Sequence, residues 1–304
     1  MRFAILGPLS VTADDGTPVD LGSPKQRAVL ALLLVSANRV VALDRLIDEL
    51  WGDEPPARAA ASIQAYVSNL RRALEPDRPP RAPATVLQSR APGYLIAVTD
   101  DDFDVARFSR LVSTGRAAAG DDPARARRLL GEALELWRGP ALADFPYERF
   151  AIAEAARLEE LRLAALSDRI DADLALGDHA AVVPELERLV AEHPLREHLW
   201  GQLMLALYRS ARQAEALTVY RRLTDTLAEE LGLEPGAELR RLQQAILTQD
   251  TALDLPQPAV TVVAPAPAAP ADAAPLSVPA PPAAAPQPQA PAAPAVPAAD
   301  RPRG

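Results

Sequence analysis

The side chains with the clearest chemical reach lie between positions 57 and 74. At about 100° per helical residue, Ile63, Val67, Leu70 and Leu74 form one narrow apolar stripe. Arg58, Ala61, Ala65, Ser68, Asn69 and Arg72 gather on the opposite side, with Gln64 and Arg71 on the flanks. Small residues let a helix backbone approach a surface closely. Amide and guanidinium groups set among them hydrogen-bond base edges and phosphate oxygens. That is the chemistry of a helix laid in a DNA major groove. The common alternative is a polar face turned to water, so the flanking elements must decide. For Arg71, a phosphate contact and an internal salt bridge to an acid are equally open.

The flanking elements fit the groove reading. Val86 to Val98 holds two short β runs around Pro92-Gly93, with Arg90 near the tip. Upstream, Ser23-Pro24-Lys25-Gln26 carries a capping box with Pro at the first helical position, and predicts a helix to about Ala37. A second helix is expected from Asp44 to Trp51, ended by Gly52, and Pro55-Pro56 opens the third. Phe3 to Leu6, Leu9 to Thr12 and Val19 to Leu21 read as short strands, with a turn at Asp14-Asp15-Gly16. Strands, three helices and a hairpin make a winged helix, whose third helix reads the major groove and whose wing meets the backbone or minor groove. Lys25, in the first turn of its helix, is either a solvated lysine or a phosphate clamp. Trp51 and Tyr94 read as core aromatics.

From Phe103 to about Gln249 the pattern is helical, rich in Leu and Ala and punctuated at Gly120-Asp121, Gly139-Pro140, Gly177-Asp178 and Gly232-Leu233. Gly177 and Ala211 are 34 residues apart, as are Leu189 and Leu223. That is the tetratricopeptide period of paired helices. Ala211 and Ala228 stand where Gly and Pro are usual, so a superhelix of helix pairs is expected rather than a strict array. Residues 251–304 hold 15 of the 31 prolines and are expected to form a flexible, partly polyproline tail. The fold class is thus mainly α with a small β component. It comprises a winged helix over 1–98, an all-α tetratricopeptide-like domain over 99–250, and the tail.

The net charge of −9 argues against nucleic acid until it is partitioned. Residues 58–98 carry six Lys/Arg against two Asp/Glu, whereas residues 99–250 carry 19 against 28. A basic surface therefore coincides with the expected groove-facing elements. The chain has no Cys, which fits a reducing cytoplasm, and no stretch suggests a membrane span or signal peptide. Phosphate-loop, nucleophile-elbow and paired-His zinc motifs are missing from the sequence. His179, His193 and His198 read as structural. No enzyme activity, cofactor or metal is expected.

Four segments in the first domain resemble the Streptomyces antibiotic regulatory protein (SARP) family of transcriptional activators. They are Gly22 to Leu34, Leu46 to Pro56, Tyr66 to Leu74, and Ala91 to Tyr94. Ala133 to Gly139, Leu174 to His179, His193 to Glu197 and Glu230 to Gly236 continue the resemblance to about residue 250. It implies an OmpR-type winged helix followed by a bacterial transcriptional activation domain. It also implies double-stranded DNA bound at direct repeats near promoters of biosynthetic clusters, self-association on DNA, and contact with RNA polymerase. Gln64, Ser68, Asn69, Arg71, Arg72 and Arg90 fall at positions the resemblance places on DNA. Ala42 departs from a usual Ser cap, and Asn69 stands where Arg is frequent. The competing expectation is an adaptor that uses both domains for protein contacts. Such a helix face should carry apolar anchors; this one carries Ala, Ser, Asn and Arg.

Overall fold

The computed structural model describes residues 1–255, so the expected tail lies almost wholly outside the described residues. The chain opens with the antiparallel strands β1 (Arg2–Ala4) and β2 (Ser10–Thr12), Phe3 facing Val11. The third strand expected at Val19 to Leu21 does not form. Pro18 makes a single bridge to Thr12 and Val19 N donates to Val11 O at 2.9 Å. Proline has no N–H to extend the ladder.

Helix α1 (Pro24–Val35) starts on the capping box read from the sequence. Ser23 Oγ accepts from Gln26 N at 3.4 Å, and Gln26 Oε1 accepts from Ser23 N at 3.1 Å. Every residue from Ala28 to Leu34 is buried, so α1 is the hub of its domain. A two-residue strand, β3 (Val41–Ala42), leads into α2 (Leu43–Trp51), whose N-terminus has no side-chain cap, as Ala42 implied. Helix α3 (Ala59–Leu74) begins later than Pro55-Pro56 suggested. A turn closed by Ala59 N to Pro56 O (2.9 Å) precedes it, and Arg58 is the N-cap residue. The hairpin β4 (Leu87–Arg90) and β5 (Gly93–Ile96) completes a sheet ordered β3-β5-β4.

Among the described residues, seven α-helices follow: α4 (Asp104–Ala118), α5 (Pro123–Leu134), α6 (Arg149–Leu176), α7 (His179–Glu192), α8 (Glu197–Arg209), α9 (Gln213–Leu231) and α10 (Ala237–Thr248). The break at Gly139-Pro140 widens into a non-helical stretch between α5 and α6. Helix α5 ends at Leu134, ahead of Gly139-Pro140, and the turns around that pair hydrogen-bond the N-terminal chain. Arg138 N donates to Leu6 O (2.8 Å) and Leu142 N to Ile5 O (2.9 Å). The 34-residue period survives in the backbone. Gly177 and Ala211 both turn in the left-handed region, at φ 93° and 60°, immediately before the turns into α7 and α9.

Two hydrophobic cores organise these elements. One runs from Phe3 through α1, α3, α4 and α5 to Ala172, and so crosses residue 98 without interruption. The other runs from Ile170 to Ile246. Helix α6 contributes to both. Asp104, at the start of α4, fixes the seam: its buried carboxylate accepts from Ile5 N (2.9 Å) and Leu6 N (2.8 Å). Burial pushes this carboxyl above the ordinary Asp range, against those N–H donors and the Arg138 guanidinium.

Candidate DNA-binding interface

Helix α3 buries Ile63, Val67, Leu70 and Leu74 against α1 and α2. That burial fixes its rotation about its own axis. Arg58, Ala61, Gln64, Ala65, Ser68, Asn69 and Arg72 are consequently all exposed. The side chains of Arg58, Gln64, Ser68, Asn69 and Arg72 make no hydrogen bond or ion pair with another described residue. The first turn holds no acid and no side-chain cap, so no carboxylate competes at that helix end. Arg71 and Arg72 occupy the last turn, where cations also complement the helix dipole.

Arg71 turns away from that face. Its Nε donates to Leu87 O (2.7 Å) and its Nη2 to Ser89 Oγ (2.8 Å), while the guanidinium lies 5.9 Å from the Tyr94 ring centre. The internal alternative holds, but its acceptors are a strand carbonyl and a hydroxyl rather than an acid. Arg71 thereby ties α3 to the wing. Lys25 is likewise occupied: its Nζ donates to Leu50 O at the end of α2 (2.7 Å) and lies 3.9 Å from Glu148. A free phosphate clamp at Lys25 does not match this geometry. The ammonium satisfies a C-terminal helix carbonyl instead.

The wing is held from both sides. Tyr94 pairs with Ser89 and with Val41, and Gly93 with Arg90 and Ala42. A Cβ on Gly93 would sit 1.9 Å from Val41 O, so only glycine lets β3 and β5 approach this closely. At the exposed tip, Arg90 donates to Gln88 Oε1 at 3.0 and 3.2 Å. This is a local contact on the surface that a phosphate can replace.

The loop between α3 and the wing depends on Glu75, a residue the sequence reading passed over. Its Oε1 accepts from Thr85 N (2.8 Å), Thr85 Oγ1 (2.5 Å) and Val86 N (3.2 Å). Burial alone would raise this carboxyl; the Thr85 and Val86 donors outweigh burial and leave it below the ordinary Glu value. Arg78 closes the same loop on Ala82 O (2.6 Å), and Arg81 is exposed at φ 71°. The only signal for these roles was the local excess of basic residues. Among the described residues, no three His, Cys, Asp or Glu side chains group to hold a metal ion. No helix there is long and apolar enough to cross a membrane.

Sequence comparison accounts for both halves. Residues 16–96 match the domain described as Transcriptional regulatory protein, C terminal, and residues 103–247 match the Bacterial transcriptional activator domain. Regulatory protein DnrI of Streptomyces peucetius is 43% identical over 270 residues, covering 87% of this chain and 98% of DnrI. The chain belongs to the SARP family of transcriptional activators. Transcriptional regulatory protein EmbR of Mycobacterium tuberculosis is 45% identical over 265 residues, covering 87% of this chain and 67% of EmbR. A solved structure of Mycobacterium tuberculosis EmbR in complex with a low affinity phosphopeptide superposes with a TM-score of 0.77 at 46% identity. The match covers 82% of this chain and 65% of that one, so this chain spans about two thirds of the EmbR polypeptide. Family membership makes the chain a DNA-binding transcription regulator, and gives the exposed α3 face and the wing a functional frame.

Proposed function

We propose that this protein is a sequence-specific activator of a secondary-metabolite gene cluster of the antibiotic type, working on the nucleoid in the cytoplasm. It binds direct repeats near its promoters as side-by-side copies and contacts RNA polymerase. The observation that carries the DNA-reading part is the exposed face of α3, whose Arg58, Gln64, Ser68, Asn69 and Arg72 have no internal partners. The pathway, repeat and polymerase parts rest on family membership and on relatives such as DnrI.

In this reading α3 lies in the major groove, with Ala65 and Ser68 allowing close approach. Asn69 and Gln64 face base edges, and Arg58 and Arg72 face phosphates. Arg90 extends the contact from the wing to the backbone or minor groove. Arg71 and Lys25, each open between a DNA contact and an internal role, serve here to hold the reading surface in place.

Binding-site mapping across the genome of the source organism supplies the operator, and a mobility-shift titration on it tests the surface. Arg72→Ala should weaken binding on all sequences alike and reduce the slope of log affinity against log salt by about one. Asn69→Ala should relax the preference at one base position by about 1–3 kcal/mol. An unchanged salt slope for Arg72→Ala removes that residue from the phosphate contacts. Mapped sites without repeats would refute the side-by-side arrangement.

A further inference from the structure

The second core carries an open cleft of about 500 Å³ between α6, α8 and α10. That volume falls within the usual range of small-molecule sites. Its floor is apolar, made by Leu174, Leu205, Leu239 and Leu242. Its walls carry Asp171, Glu197 and Glu238, with His198 and Gln202 and no Lys or Arg.

Part of this acidity is used within the fold. Glu197 Oε2 accepts from Gly236 N (2.7 Å), and Asp171 accepts from Gln202 Nε2 (2.7 Å) and lies 3.2 Å from His198 Nε2. Glu238 is exposed and has no hydrogen bond or ion pair with a described residue. Arg196, the residue before α8, is engaged by Glu160 outside the cleft. An occupant therefore meets Leu side chains below and a net negative charge at the mouth, where three carboxylates face one imidazole, His198, which lies against Asp171. Gly201 keeps the floor open, since a Cβ there would lie 3.3 Å from Leu239.

We propose that this cleft binds a small organic cation: an ammonium group on a compact apolar body, the body on the four leucines and the nitrogen beside Glu238 and Asp171. The argument is charge complementarity joined to a cavity of ligand size. A carboxylate or phosphate ligand would meet three acids against the one imidazole of His198, and a neutral apolar ligand would gain nothing from Glu238.

The test follows the Leu methyl signals of the full chain by NMR while adding cyclohexylmethylammonium, cyclohexanecarboxylate or cyclohexylmethanol. The ammonium should produce saturable shifts confined to Leu174, Leu205, Leu239 and Leu242, with the alcohol weaker and the carboxylate silent. Glu238→Gln, an exposed substitution that leaves the fold intact, should weaken the ammonium about fivefold. Asp171→Asn keeps an acceptor for Gln202 and should weaken it further in combination. The proposal is overturned if alcohol and ammonium bind alike, if Glu238→Gln leaves the ammonium's affinity unchanged, or if no cleft methyl shifts saturably.

Discussion

Arg71 and Arg72 are neighbours in sequence but point to opposite tasks, because one residue step rotates a side chain by about 100° around the helix. Arg72 stands free on the exposed face of α3, whereas Arg71 is spent on Leu87 O and Ser89 Oγ. Removing them should therefore separate stability from binding. Arg71→Ala should cost about 1–2 kcal/mol in denaturant unfolding, since it strips two wing acceptors of their donor. Arg72→Ala should stay within about 0.5 kcal/mol of the parent. Equal losses for the two would contradict the division. The histidines of the helical domain give a second contrast. His198 is pushed up by its hydrogen bond to Asp171, and His179 is pushed down by burial and by Arg209. The native state thus holds the His198 proton more tightly than the unfolded chain does. That stabilisation is complete below the ordinary histidine value and is lost as pH rises through the folded one. For His179 the sign reverses, and stability falls as pH drops below the ordinary value toward the folded one. A proton NMR titration of the two rings should place their midpoints on either side of about 6.5.

At the scale of elements, the turn two residues before α9 holds a residue its backbone does not favour. Ala211 sits at φ 60°, where Gly177 occupies the equivalent turn of the preceding repeat. A Cβ in the left-handed region costs about 1–2 kcal/mol, and a glycine returns part of that gain through unfolded-state entropy, about 0.4–1 kcal/mol. Ala211→Gly should therefore raise stability by about 0.5–1 kcal/mol, read as a higher melting temperature; a loss would mean the alanine methyl packs more strongly than its strain costs. This turn was legible because a 34-residue offset pairs it with Gly177. The helices α1 and α3 were legible for similar reasons: a capping box starts one, and a four-residue apolar stripe orients the other. Other parts left no local mark. The strand β3 is two residues long, too short for an alternating pattern. The turns between α5 and α6 take their shape from carbonyls of Ile5 and Leu6, more than a hundred positions away. The same holds within the interface. The exposure of Asn69 and Arg72 follows from the helical period, but the capture of Arg71 by the wing and of Lys25 by Leu50 depends on partners that only the fold brings close.

For the molecule as a whole, Asp104 joins its two halves. Its carboxylate is buried and receives the N–H groups of two successive residues from the far end of the chain. Asparagine is nearly isosteric but turns one acceptor oxygen into an N–H donor facing a backbone N–H. Asp104→Asn should cost about 2 kcal/mol, measured by thermal or denaturant unfolding, and should reduce DNA affinity only as far as it loosens β1 and α1. A variant as stable as the parent would show that the seam holds without it. The uneven charge also belongs to this scale. The acidic excess lies in residues 99–250, so it keeps like charge away from the α3 face while leaving the chain acidic overall.

The core that passes through residue 98 has a consequence for how this architecture can be taken apart. A fragment cut between the wing and α4 would lose Phe103, Phe108 and the Asp104 anchor, and would leave Phe3, Ile5 and Leu6 without the surface that covers them. The two halves are thus not interchangeable parts. Any exchange of the reading head between relatives must carry the matching face of α4, α5 and the front of α6 with it, and the natural unit of recombination is longer than the unit that touches DNA.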